Sequence, residues 1–243
     1  MNESINGREA AIGSVAASIG ILNEGHLHAS LKEHYVRPGD QIEVAVDGYV
    51  VDILRAGLII EVQTANFSAI AKKIRDLVSR HRVRLVYPIP RDRWILKMAQ
   101  QPGDGVTRRR SPKHLDAIDV FAELVSFPEL IAHPNFELDV VLIEEETVWR
   151  FDSPKRWRRR GWVTVERRML TIYDTIALRN GADYMAMIPT GIPQEFLTAD
   201  LATALGRPRH LAQKVAYCLR NGGFIEKVGS RGNAIVYATK RRD

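Results

Sequence analysis

Two carboxylates one turn apart, Asp52 and Glu61, have the types and spacing for metal-assisted chemistry. Asp52 falls at the end of a strand expected over Tyr49–Leu54, and Glu61-Val62-Gln63 sits on the next, Leu58–Val62, so adjacent antiparallel strands bring the two side chains together. Converging carboxylates repel unless a hard cation joins them, and Mg²⁺ (or Mn²⁺) is held by few carboxylates plus water and phosphate oxygens. Such an ion activates a bound water and neutralises charge on a phosphate, which suits phosphodiester hydrolysis. The ordinary alternative is a solvated strand-end Asp52 and an outward Glu61 on an edge strand. Against it, Leu58-Ile59-Ile60 and Val62 mark a buried central strand, where an unpaired carboxylate costs several kcal/mol.

The elements that position this pair follow from the pattern around it. A helix carries Leu27, Leu31 and Tyr35 at a spacing of four, and Pro38-Gly39-Asp40 stops it. Ile42–Val46, Tyr49–Leu54 and Leu58–Val62 alternate as strands around the turn dipeptide Asp47-Gly48 and a second turn at Arg55-Ala56-Gly57, giving an antiparallel meander. Asn66 or Ser68 starts a helix from about Ala69 to Arg80, and Val83–Pro88 is the next strand. Helix, three strands, helix, strand predicts an α/β fold with a mixed sheet. A surface loop over Gln101–Lys113, a helix over Leu115–Leu124 and a strand over Leu138–Ile143 complete a first domain, residues 1–148. His26 and His28, two apart on a helix, point in different directions and read as core or surface histidines.

With Asp52 before Glu61-Val62-Gln63, this order of elements resembles the PD-(D/E)xK nuclease superfamily over roughly residues 20–90. The resemblance implies a restriction-endonuclease-like mixed β-sheet flanked by helices and a Mg²⁺-dependent cut in DNA. Matched residue by residue, it makes Asp52 the central aspartate, Glu61 the strand acid, Glu24 the acid from the first helix and Gln63 the residue where the family usually has lysine. Lys72 and Lys73, one turn into the next helix, can restore that missing charge or simply belong to a basic helix face.

Charge is segregated along the chain. Residues 1–71 carry 4 basic against 9 acidic side chains, 72–113 carry 13 against 3, 114–146 carry 0 against 9, and 201–243 carry 9 basic against Glu226 and Asp243. Such blocks favour binding surfaces for a polyanion over a generic solubility charge. Residues 149–172 read as a basic Trp- and Arg-rich connector, after which the pattern turns helical from about Met169. In the last part, 173–243, a short helix after Thr198, a turn at Gly206, a helix over Pro208–Arg220 and a hairpin of Phe224–Val228 with Ala234–Thr239 resemble a winged helix-turn-helix domain. The resemblance implies that Arg207, Arg209, His210, Gln213 and Lys214 face outward at the start of the helix that enters the major groove, with the Arg and Gln side chains suited to base edges and Lys214 and Arg231 to phosphate.

Cys218 is the only cysteine, which excludes an internal disulfide and a multi-cysteine zinc cage and points to a reducing cytoplasm. The small-apolar stretch from Ala10 to Leu22 is too short to span a bilayer, so no membrane association is expected. The expectation is a metal-dependent DNA endonuclease placed by a winged helix; one site cuts one strand, so double-strand cleavage is compatible with a homodimer. The alternatives are RNA cleavage, and a DNA-binding regulator or assembly factor built on a degenerate nuclease fold.

Overall fold

Leu27 and Leu31 give α1 (His26–Tyr35) its one buried face in the computed structural model, which describes residues 25–100, 104–152 and 161–240. The corner after α1 is tied down by Arg55, whose guanidinium donates to both carboxylate oxygens of Asp40 (2.9 and 2.7 Å) and to the Tyr35 carbonyl. Then β1 (Gln41–Val46), β2 (Tyr49–Arg55) and β3 (Leu58–Val62) form the expected meander. Both of its turns use paired positive φ angles, 49° and 84° at Asp47-Gly48 and 44° and 82° at Ala56-Gly57. This is the mirror-image turn geometry that matches strand twist.

The chain crosses over through α2 (Phe67–Val78), which buries Phe67, Ala71, Ile74, Leu77 and Val78 on the sheet, and returns as β4 (Arg82–Lys97) parallel to β3. β5 (Thr107–Arg110) pairs with the far end of β4. After two 3₁₀ segments, Ala117–Val120 and Pro128–Ala132, flanking the one-turn α3 (Phe121–Leu124), β6 (Phe136–Phe151) runs parallel to β4 and β7 (Trp162–Leu178) folds back antiparallel on β6. The sheet order is β1-β2-β3-β4-β6-β7 with β5 beside β4, a large mixed sheet flanked by helices. The α/β expectation holds at that level.

Three sequence expectations are corrected. The stretch from Met169, expected to be helical, is strand β7. Bulges between Leu142 and Ile143, Glu144 and Glu145, and Val148 and Trp149 break the two-residue alternation of the β6–β7 pair, and Met169, Ile172 and Ile176 fall at a helix-like spacing. The connector expected over 149–172 is, where described, the end of β6 and the start of β7. The loop expected over 101–113 contains β5.

The C-terminal part continues with α4 (Gly181–Ala186), β8 (Glu195–Leu197), α5 (Thr198–Leu205), α6 (Arg209–Asn221), β9 (Ile225–Arg231) and β10 (Ala234–Thr239). The three strands form a small sheet in the order β8-β10-β9. Its apolar residues are continuous with those of the large sheet: Leu211, Val215 and Leu219 of α6 belong to the same buried cluster as Phe121, Phe127 and Ile131. A second cluster, on the α1 face of the sheet, holds Leu27, Leu31, Ile53, Ile60, Val62, Val86, Val141 and Ile143. Among the described residues no helix is long and apolar enough to cross a membrane.

Candidate metal centre

The meander's ladder opens at Asp52. Pairing of β1 with β2 skips Glu43 and Asp52, with Glu43 at a positive φ of 52°, and pairing of β2 with β3 runs only from Ile53–Ile60 to Arg55–Leu58. Backbone N–H groups left there must find other acceptors. They find carboxylates of the facing strand: Val62 N–H donates to Asp52 Oδ2 (2.8 Å), and Asp52 N–H donates to Glu61 Oε1 (3.3 Å). The two acids are thus drawn together across β2 and β3, Asp52 in the middle of its strand rather than at its end.

Lys73, from the second turn of α2, completes the group. Its ammonium lies 2.7 Å from Glu61 Oε1 and donates to the Val50 carbonyl at 2.7 Å. From the other side, His28 Nε2 of α1 lies 3.4 Å from Asp52 Oδ2. His26 and His28 do point in different directions, His26 Nε2 lying 3.3 Å from Glu166 Oε1; helical spacing from His26 says nothing about what a neighbouring strand presents to His28. Lys72 is exposed and stands apart from the carboxylates, whereas Lys73 joins them. Gln63 turns its amide onto the carbonyls of Ala65 and Asn66, in the turn before α2, so its donor is spent on that turn. Glu24 lies outside the described residues.

The environment separates the two acids. The Glu61 side chain is 6% exposed, and burial pushes its carboxyl up to about 7, with the Asp52 charge adding to the rise and Lys73 opposing it. Burial pushes Asp52 upward as well, but the His28 ring, the Val62 N–H and the Lys73 charge together hold it below its ordinary value. Neighbouring carboxylates with divergent proton affinities are a common feature of functional sites.

The donors suit a hard divalent cation. Asp52 Oδ1 and Glu61 Oε2 are used by none of the bonds above, and carboxylate oxygens are what Mg²⁺ prefers. Among the described residues no group of three or more His, Cys, Asp or Glu side chains is arranged to hold a metal. A cation here would rest on two carboxylates, with the rest of its shell drawn from water and phosphate, which is the usual Mg²⁺ pattern.

The residues expected to read DNA divide. Arg209, His210 and Gln213 are exposed at the start of α6, and Arg231 is exposed at the end of β9. Arg207 instead lies 3.4 Å from Asp119, and Lys214 Nζ donates to the Ala122 carbonyl (3.2 Å), so both point at the body carrying the large sheet. Nothing in the helical pattern marks this, because the face that covers α6 comes from residues about ninety positions earlier.

A family described as "Domain of unknown function (DUF8091)" matches residues 25–179, the stretch from α1 to the end of β7. An uncharacterized protein of Treponema pallidum (strain Nichols) is 28% identical over 221 residues, covering 90% of this chain and 87% of that protein. No solved structure matches the chain significantly.

Proposed function

The chain belongs to the DUF8091 family, and for it we propose a metal-dependent endonuclease that hydrolyses DNA phosphodiesters, built on a PD-(D/E)xK-like core and placed on DNA by a winged helix. One observation carries this reading: Asp52 and Glu61 converge where the β2–β3 ladder opens, with Lys73 at 2.7 Å supplying the cation that Gln63 does not. The order α1, meander, α2 and parallel β4 supports it, as does the order β8, α5, α6, β9, β10 for the winged helix.

In this reading Asp52 and Glu61 are the residues that would hold Mg²⁺ (or Mn²⁺). When bound, the ion lowers the pKa of its water and neutralises phosphate charge. Lys73 compensates Glu61 and stands ready to stabilise charge gathering on the phosphate. His28 orients Asp52. Lys72 and Arg231 give phosphate contacts, and Arg209, His210 and Gln213 present donors to base edges. A homodimer would place two such sites on opposite strands.

The test is purified protein with Mg²⁺ or Mn²⁺ against supercoiled, linear, branched and single-stranded DNA and against RNA, beside Asp52→Ala and Glu61→Ala. Metal-dependent cutting of DNA that both variants lose supports the reading, and cutting confined to RNA redirects it to a ribonuclease. Binding without cutting on any substrate favours the second reading, a DNA-binding regulator on a degenerate nuclease fold. The Val62 N–H bond to Asp52, the Asp52 N–H bond to Glu61 and the Lys73 partner favour that second reading, since each acid already has a partner on one oxygen without a metal.

A further inference from the structure

A cleft of about 500 Å³ opens where the start of α6 meets β4 and the segment after β5. One part of its wall is apolar, formed by Tyr87, Ile89, Pro90, Leu115 and Leu211. The other is cationic, formed by Lys113, His114, Arg207, His210 and Lys214, with Asp119 the one acid in the lining. Next to it lies a hollow of about 610 Å³ that shares His114, Leu115 and Arg207 and adds Arg91, Arg110 and the acids Asp92 and Asp116, with Arg110 paired to Asp92 at 2.6 Å.

This positive charge is only partly answered within the chain. Arg207 meets Asp119 at 3.4 Å and His114 meets Asp92 at 2.9 Å. Lys214 has only a neutral carbonyl as its hydrogen-bond partner, and among the described residues Lys113 and His210 have no acidic partner. The 13-residue α6 begins at this cleft with no side-chain cap and no acidic residue in its first turn, so the positive end of its dipole adds to the same field. Unanswered cations beside an uncapped helix start call for an anion, and the apolar wall calls for a flat or greasy group attached to it.

We propose that this cleft binds a nucleoside 5′-phosphate, offered free or as the 5′ end of a single strand, with the base on the Tyr87–Leu211 wall and the phosphate on Lys113, His210 and Lys214. Its volume suits one nucleotide, whereas a duplex, whose major groove alone is about 12 Å wide, does not enter. The inference is independent of the carboxylate pair and goes beyond contact with duplex DNA by α6: it turns Arg207, His210 and Lys214 from expected duplex contacts into walls of a pocket.

Calorimetry on the full chain tests this, with adenosine 5′-monophosphate, a 5′-phosphorylated five-residue oligothymidylate, and their unphosphorylated counterparts as probes. The proposal expects at least one phosphorylated probe to bind and its unphosphorylated counterpart to bind at least about tenfold more weakly. Lys113→Ala and Lys214→Met should each weaken binding by about tenfold, with unchanged thermal melts for the exposed Lys113→Ala, while Lys227→Ala on β9 leaves binding as it was. Tighter binding of the mononucleotide identifies a free nucleotide as the ligand, and tighter binding of the oligonucleotide identifies a strand end; both uphold the site. Failure of both phosphorylated probes to bind, or binding that Lys113→Ala leaves unchanged, overturns it.

Discussion

Glu61 is the acid on which burial acts hardest in the candidate centre, and its protonation is coupled to folding. In the folded chain its carboxyl titrates near 7, above the ordinary 4.5, so between those values the folded chain holds a proton that the unfolded chain has released. By linkage, stability from this group is full below about pH 4.5 and is lost as pH rises to 7, a change of about 3 kcal/mol. Asp52 acts in the opposite sense and elsewhere: held below 3.8, it contributes stability above that value that is lost only in stronger acid. Urea denaturation in chelator-containing buffer should therefore show stability declining from pH 5 to 7.5, a slope that Glu61→Gln flattens and added Mg²⁺ reduces in the wild-type chain. Lys73→Met should destabilise the chain by about 1–3 kcal/mol at pH 8, because it leaves Glu61 buried without its partner, and much of that cost should vanish in the Glu61→Gln background. A double-mutant cycle near zero would show that Lys73 and Glu61 are neighbours without coupling. Asp52 and Glu61 were legible from their strands because apolar alternation fixes which carboxylates are buried. His28 was not, since its partner is set by how α1 packs on the sheet, against β7 and β3, a tertiary fact with no local signature.

At the scale of elements, α2 depends on a cap that its own sequence does not supply. Asn66 occupies the cap position at a φ of 55° and its side chain makes no capping bond to the helix; the Phe67 N–H is met instead by Glu123 Oε2, 3.0 Å away on α3. This bond fixes the end of α2 against α3, and Lys73 is carried on the second turn of the same helix. Glu123→Ala should cost about 1 kcal/mol, as loss of a helix cap commonly does, and lower the melting temperature by about 2–4 °C for a chain of this size. If the helix start is what places Lys73, the same variant should also weaken Mg²⁺ binding at the carboxylates, read by calorimetry, whereas Ser126→Ala in the turn after α3 should not. The meander and α2 were readable from sequence because their signals are local: turn dipeptides, alternation and a clean apolar stripe. β7 was misread for an equally physical reason. Two of the bulges in its pairing with β6, at Leu170 and Tyr173, shift the side-chain phase, so that Met169 and Ile172 on the α1 face and Ile176 on the opposite face fall at a helix-like spacing although the backbone is extended.

For the whole molecule, the boundary expected near residue 148 and again at 173 meets a core that does not stop at either place. β7 crosses the second boundary while still paired with β6, and α6 packs its Leu211, Val215 and Leu219 into the cluster that also holds Phe121, Phe127 and Ile131. One tight point of this junction is Gly222, at the end of α6. A Cβ there would fall 2.6 Å from Ile131 Cγ1 and 2.7 Å from Phe224 Cε2, closer than carbon atoms pack. Gly222 also sits at the C-cap of α6, and its contact with Ile131 has no local signature in the sequence, because Ile131 is ninety-one residues away. Gly222→Ala should cost about 1–3 kcal/mol by overpacking. What distinguishes a shared core from two tethered domains is how that cost is distributed. With one core, differential scanning calorimetry should give a single transition for the wild-type chain, moved as a whole to lower temperature by Gly222→Ala, with the melting of the β6–β7 hairpin region followed by Trp fluorescence moving in step. With two independent units, only a C-terminal transition would shift and the tryptophan signal would stay in place. The first outcome also bears on function, since a cleft whose walls come from β4 on one side and α6 on the other keeps its shape only while the junction holds.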